Sequence, residues 1–230
     1  MQLHEYPREG WRKDFDGLMK DPYLSKKYNR ERRIKDHRKY MGAFTPELKH
    51  VKGKKILDIG CAMGEYLEIC REFGHEIQGV DAPLEDCEMG NEYIRLSKLM
   101  TERQHIPVDY CGLQAWLNKA HAAGEYFYIN MRGCIEQCFY EHQSGTPHRV
   151  THNAGGLKWI ITKELQDKFE LMFKMFSHIL EDGGRIAIWA NGSKNNPEYD
   201  NLILETLKKF PELHLVKKIG KLQHKIQKRV

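Results

Sequence analysis

The sequence predicts an α/β protein: a doubly wound, mostly parallel seven-stranded sheet with helices on both faces, an antiparallel C-terminal strand and an N-terminal helical extension. Three observations carry this. Short apolar runs of strand length alternate with segments whose apolar residues recur every three or four positions. No internal repeat or low-complexity linker interrupts the alternation, so residues 46–230 read as one domain behind an extension at 1–45. With 230 residues, 40% of them apolar, the chain can bury a core without disulfides or a metal.

The elements follow in order. Lys55–Gly60 (KILDIG) is a buried strand, and a helix runs from about Glu65 to Phe73. His75–Asp81 is the second strand. Met89, Tyr93, Leu96 and Met100 give a helix over 86–103. Ile106–Cys111 is a third strand, followed by a helix over 113–122. Tyr126–Met131 is the fourth strand. Leu165, Phe169, Met172, Phe173, Phe176 and Leu180 share one face of a long helix over 162–180, with Thr162 as N-cap and Asp182-Gly183-Gly184 as its end. Arg185–Ala190 is the fifth strand, 198–210 a helix, and 213–230 a pair of strands about a turn at Gly220.

Charge is uneven. From Lys26 to Lys39 eight Lys/Arg face two acids, a local +6, and from Lys217 to Val230 six Lys/Arg face none. Such ends suit phosphates on nucleic acid, nucleotides or lipid, or else a solvated helix face and a guarded edge strand. The six cysteines form no CxxC pair and read as reduced thiols of a cytoplasmic protein. No apolar run reaches membrane-span length, and the start lacks a signal-peptide core.

The first strand exits through Asp58-Ile59-Gly60-Cys61-Ala62-Met63-Gly64 straight into a helix. Glycines there permit a tight turn and close ligand approach, and the helix N-terminus offers free N–H groups. Asp81 ends the second strand, placed to accept hydrogen bonds from ribose hydroxyls. This combination signals a nucleoside-containing cofactor. A valine at Gly60 is expected to abolish ligand binding in a protein that still folds.

The spacing resembles the Asp/Glu-x-Gly-x-x-x-Gly motif of class I S-adenosylmethionine-dependent methyltransferases rather than a dinucleotide G-x-G-x-x-G. Ile129-Asn130-Met131-Arg132-Gly133-Cys134-Ile135-Glu136-Gln137 is similar to that family's fourth-strand exit, and Leu180–Ile186 to its L-x-x-G-G turn, so the resemblance spans about residues 50–220 in the family's order. It implies S-adenosylmethionine as cofactor and S-adenosylhomocysteine as product. Gly60, Cys61, Ala62 and Gly64 would line the methionine and ribose portion, and Asp58 would fix the turn near the ammonium. Asp81 would take the ribose with Ala82 beside the adenine, and Arg132 would complete the set. The register leaves open whether Asp109 or the backbone of Cys111 and Gly112 meets the adenine edge. Phe127 stands where the family often has an aspartate.

Methyl transfer is an in-line displacement in which positioning does much of the work, and a base is needed only where the acceptor loses a proton. The Asp/Asn-Pro-Pro-Tyr/Phe and Pro-Cys motifs of nucleic-acid amine and cytosine methyltransferases are missing after the fourth strand. The long connection Phe139–Trp159 offers His142 and His152 as candidate bases, with Glu141 as an orienter. Cys134, Cys138 and His142 share a helical face, but one helix rarely encloses a tetrahedral ion, so no metal is expected. The leading expectation is methyl transfer to oxygen or nitrogen of a small molecule or sugar- or nucleotide-like metabolite. An RNA methyltransferase using the basic ends is the alternative, although only Tyr28 and Tyr40 interleave the basic segment. A non-catalytic cofactor-binding module is the third reading.

Overall fold

The computed structural model describes residues 29–82, 91–132, 134, 149–152, 156–159, 162–189, 197–219 and 223–230. The strands are β1 (Lys55–Ile59), β2 (Glu76–Asp81), β3 (Val108–Tyr110), β4 (Tyr126–Arg132), β5 (Arg149–His152), β6 (Gly156–Trp159), β7 (Leu180–Trp189), β8 (Leu213–Ile219) and β9 (Gln223–Lys228). The helices are α1 (Arg30–Phe44), α2 (Glu65–Glu72), α3 (Asn91–Arg103), α4 (Gly112–Leu117), α5 (Lys163–Ile179) and α6 (Pro197–Leu207).

Seven strands form one sheet in the order β3-β2-β1-β4-β7-β9-β8. The pairs from β3 through to β7 are parallel, while β9 runs antiparallel to both β7 and β8. The expected architecture is therefore the observed one. Winding reverses between β1 and β4, which puts the crevice for a ligand at their carboxyl ends.

Alternation of side chains along the strands builds two apolar layers. Leu57, Ile59, Ile129, Met131, Ile186 and Ile188 pack against α4, α5 and α6. On the opposite face Ile56, Tyr128 and Ala187 meet α1 and α2 through Tyr40, Met41, Phe44, Tyr66 and Ile69. The extension thus contributes three buried side chains to the core through α1. No helix among the described residues is long and apolar enough to cross a membrane.

Several boundaries move. Thr162 caps α5 as expected, its Oγ1 accepting from the Leu165 N–H at 3.1 Å. The helix ends at Ile179, however, and β7 begins at Leu180, so Asp182-Gly183-Gly184 lies inside a strand and not at a helix end. The Tyr126–Leu180 pairing and a register shift between Tyr126 and Tyr128 absorb the extra residues. The helix expected over 113–122 stops at Leu117, and His121 turns back with its ring 4.0 Å from that of Trp116. The Phe139–Trp159 connection contains a hairpin that periodicity missed: Arg149 to His152 pairs antiparallel with Gly156 to Trp159. β-branched and aromatic residues on either side of Asn-Ala-Gly were the available signal.

Candidate cofactor and acceptor site

The turn after β1 is held by backbone bonds to the neighbouring strand. The Gly60 N–H donates to the Val80 carbonyl at 2.7 Å, and the Gly64 N–H to that of Cys61 at 2.9 Å. Gly60 and Gly64 adopt φ of +71° and +76°, and Ala62, between them, +50°. A left-handed alanine stores strain of order 1 kcal/mol. Asp81 offsets it: one carboxylate oxygen accepts the Ala62 N–H at 2.8 Å and the other the Ala82 N–H at 2.8 Å. The carboxylate that ends β2 is therefore clasped to the glycine turn that ends β1.

Burial pushes the Asp81 carboxyl up to about 6, against the pull of those two N–H bonds and of Arg33. Each oxygen has accepted one backbone hydrogen and retains further lone-pair capacity, so the half-buried group can take hydroxyl donors as well. In that respect the residues present fit a nucleoside ribose.

The glycines are fixed by the protein itself. A Cβ on Gly60 would lie 2.3 Å from Cys134 Cβ and 2.6 Å from its Sγ, and one on Gly64 would lie 2.5 Å from Ile106 Cδ1. Cys134 is buried with its thiol donating to the Ile59 carbonyl at 2.9 Å. The expectation that a valine at Gly60 leaves a folded protein is corrected: the side chain meets packed protein, not an open ligand space.

Asp58 lies beneath the turn, 4% exposed, accepting from Asn130 Nδ2 at 2.6 Å. Asn130 Oδ1 in turn accepts from the Tyr40 hydroxyl at 2.8 Å. This chain ties β1, β4 and α1 together. Burial pushes the Asp58 carboxyl up to about 7 despite the Asn130 bond. Cys61 is buried against Leu67 and Ile106. At the third-strand exit, Asp109 accepts from Gln78 Nε2 at 3.1 Å and Lys119 Nζ at 3.2 Å, so its carboxylate is engaged there. Cys111 and Gly112 stand at the start of α4, Gly112 with φ +73°.

Arg132 is the last residue of β4. Its guanidinium carbon is 4.8 Å from the Tyr40 ring centroid and 5.0 Å from that of Trp189, and it donates to His37 Nδ1 at 3.1 Å. Burial, followed by the charges of Arg132 and Arg33, lowers His37 to about 3, so the imidazole is neutral with its proton on Nε2. His37, Tyr40, Asn130 and Trp189 were not singled out from sequence. Asn130 two residues before Arg132, and His37 one turn before Tyr40, were the legible signals, because each spacing shares one face.

Glu141 and His142 lie outside the described residues, and His152 is on β5. Among the described residues no group of three metal-binding side chains is found.

Three arginines of the basic stretch on α1 are engaged with α2. Arg33 forks onto Glu65, with Nε at 2.6 Å, and Arg30 and Arg38 pair with Glu68 and Glu72. In the tail, Lys225 pairs with Glu47 and donates to the Phe44 carbonyl, and Lys228 pairs with Asp182.

No known family's sequence profile matches the chain, and no curated protein matches it. Solved structures do. The PH0226 protein of Pyrococcus horikoshii superimposes with a TM-score of 0.50 at 12% identity, over 84% of this chain and 91% of that one. A SAM-dependent methyltransferase from Archaeoglobus fulgidus gives 0.49 at 17% identity, over 85% and 94%. Geranyl diphosphate C-methyltransferase from Streptomyces coelicolor, with S-adenosylhomocysteine bound, gives 0.47 at 13% identity, over 84% and 79%. At these identities the likeness is one of fold. The chain has a doubly wound, Rossmann-like α/β fold.

Proposed function

We propose that this protein is an S-adenosylmethionine-dependent methyltransferase acting on oxygen or nitrogen of a small molecule or sugar- or nucleotide-like metabolite in the cytoplasm. The carrying observation is the Asp81 carboxylate clasped to the strained Gly60–Gly64 turn at the point where the sheet's winding reverses. In this reading Asp81 accepts the ribose hydroxyls and the backbone from Gly60 to Gly64 lines the rest of the nucleoside and methionine portion. Ala82 flanks the adenine. The backbone of Cys111 and Gly112 meets the adenine edge, since Asp109 is occupied by Gln78 and Lys119. Asp58 braces the turn from below.

The cofactor supplies an electrophilic methyl group. What the chain supplies is orientation: a turn fixed by packing and an acid fixed by two backbone bonds. His152 remains a candidate base on the β5–β6 hairpin, alongside His142 and Glu141. Against the RNA alternative, Arg30, Arg33, Arg38, Lys225 and Lys228 of the basic stretches are engaged with acids of the same chain.

Calorimetric titration with S-adenosylhomocysteine tests the proposal. Saturable 1:1 binding is expected, while tight NAD binding with no response to S-adenosylhomocysteine overturns it.

A further inference from the structure

Arg132 is the one guanidinium at the carboxyl end of the central strands that the described structure leaves without a carboxylate within 4 Å. The acids that act on it, Asp58 and Asp36, do so only through space. Its guanidinium lies over both the Tyr40 and Trp189 rings, whose centroids are themselves 5.4 Å apart, and one N–H goes to neutral His37. Of the five N–H donors of a guanidinium, this bond uses one, and the half-buried residue keeps the planar fork that suits an oxyanion. Burial disfavours the charge. The aromatic faces compensate in part, and an incoming anion would complete the compensation.

Position decides which ligand this serves. Along the sheet the order is β2, β1, β4, β7, with Asp81 ending β2 and the glycine turn ending β1. Arg132 ends β4, about 10 Å from β2 at two strand spacings, and is paired in register with Trp189 of β7. It therefore lies beyond the turn from the ribose acid, against the wall made by α1.

We propose that Arg132, seated over the paired rings of Tyr40 and Trp189, is an anion subsite for the methyl acceptor, which accordingly carries a carboxylate or phosphate group. This rests on the methyltransferase reading and moves Arg132 from the cofactor's contacts to the acceptor's.

The test titrates the full chain, saturated with S-adenosylhomocysteine, with sodium phosphate and separately with sodium acetate at constant ionic strength, following thermal shift. The wild type is expected to bind one of the two saturably and at least fivefold more tightly than Arg132→Gln, and the better probe names the acceptor's anion. Arg132→Lys keeps the charge without the fork and is expected to fall between them, which keeps the test valid should the glutamine variant fold poorly. Equal titration of wild type and both variants overturns the proposal. So does a tenfold loss of S-adenosylhomocysteine affinity in Arg132→Gln with 5′-methylthioadenosine binding unchanged, since the latter lacks the carboxylate and the loss would assign Arg132 to the cofactor. If no protein binds either nucleoside, the cofactor reading alone fails, and phosphate and acetate titrations of the ligand-free chain decide the anion subsite by the same comparison.

Discussion

Asp81 does two jobs that a single substitution separates. It holds the Ala62 and Ala82 N–H groups in the free protein, and in the proposed complex it also accepts the ribose hydroxyls. Asp81→Ala is expected to weaken S-adenosylhomocysteine binding by about 1–3 kcal/mol in calorimetry, the size of charge-assisted hydrogen bonds, and to lower the melting temperature as well. Because burial holds this carboxyl up at about 6, wild-type affinity should fall as pH drops below that value, where the acceptor becomes protonated. Asp58 offers a cleaner pH signature. Its carboxyl is raised from an ordinary 3.8 to about 7 by burial, so its contribution to stability is complete below pH 3.8 and is lost as pH rises through about 7. Asp58→Asn mimics the neutral form. Its melting temperature relative to wild type should therefore climb between pH 5 and pH 8, whereas an unchanged difference would contradict a buried, near-neutral carboxyl. His37, lowered to about 3, loses its contribution as pH falls, but does so in both proteins and cancels. At Gly60 the expected outcome is loss of the fold: a β-branched side chain at φ +71° against Cys134 should cost about 4 kcal/mol or more, visible as insoluble or unfolded Gly60→Val.

At the scale of elements, α1 is attached to α2 by a ladder of unequal rungs. Glu65, the first residue of α2, has a fully buried side chain, and Arg33 neutralises it with two donors. Arg33→Ala would leave that carboxylate buried and unpaired, and a destabilisation of about 3 kcal/mol is expected in denaturant unfolding. Arg38→Ala, whose pair with Glu72 is nearly half exposed on both sides, should cost well under 1 kcal/mol. Equal costs for the two would mean that α1 is held by its apolar face alone. That face is substantial: Tyr40, Met41 and Phe44 are buried, Tyr40 stacks on Phe44 with centroids 5.2 Å apart, and Tyr40 packs beside Trp189 beneath Arg132. The helix both completes the core and meets Arg132 at the end of β4 through His37 and Tyr40.

For the whole molecule, the question is where its positive charge goes. The formal net charge is +5, yet Arg30, Arg33 and Arg38 of the first basic stretch and Lys225 and Lys228 of the second are tied to acids of α2, of the turn before β1 and of β7. A phosphate backbone would compete with those pairs. We expect no salt-dependent RNA binding at physiological ionic strength in a filter-binding titration. Micromolar affinity whose logarithm falls linearly with log salt would favour the RNA alternative.

The alternation of strands and helices, the mostly parallel seven-stranded sheet and the turn at the exit of the first strand were legible in the sequence because they follow from local quantities: the length and spacing of apolar runs, the Gly60-x-x-x-Gly64 turn and the acid closing β2. The hairpin at β5–β6 and the start of β7 within Leu180–Gly184 escaped because they depend on which strand each segment finds as a partner, and apolar periodicity is silent on that. Tertiary structure alone decided that Gly60 answers to Cys134, that Asp109 is occupied by Lys119, and that the basic helix spends three arginines on α2. It also brought His37, Tyr40, Arg132 and Trp189 together from three distant segments. Sequence specifies what each residue can donate, accept or bury; only packing across the sheet determines which partner is close enough to take the offer.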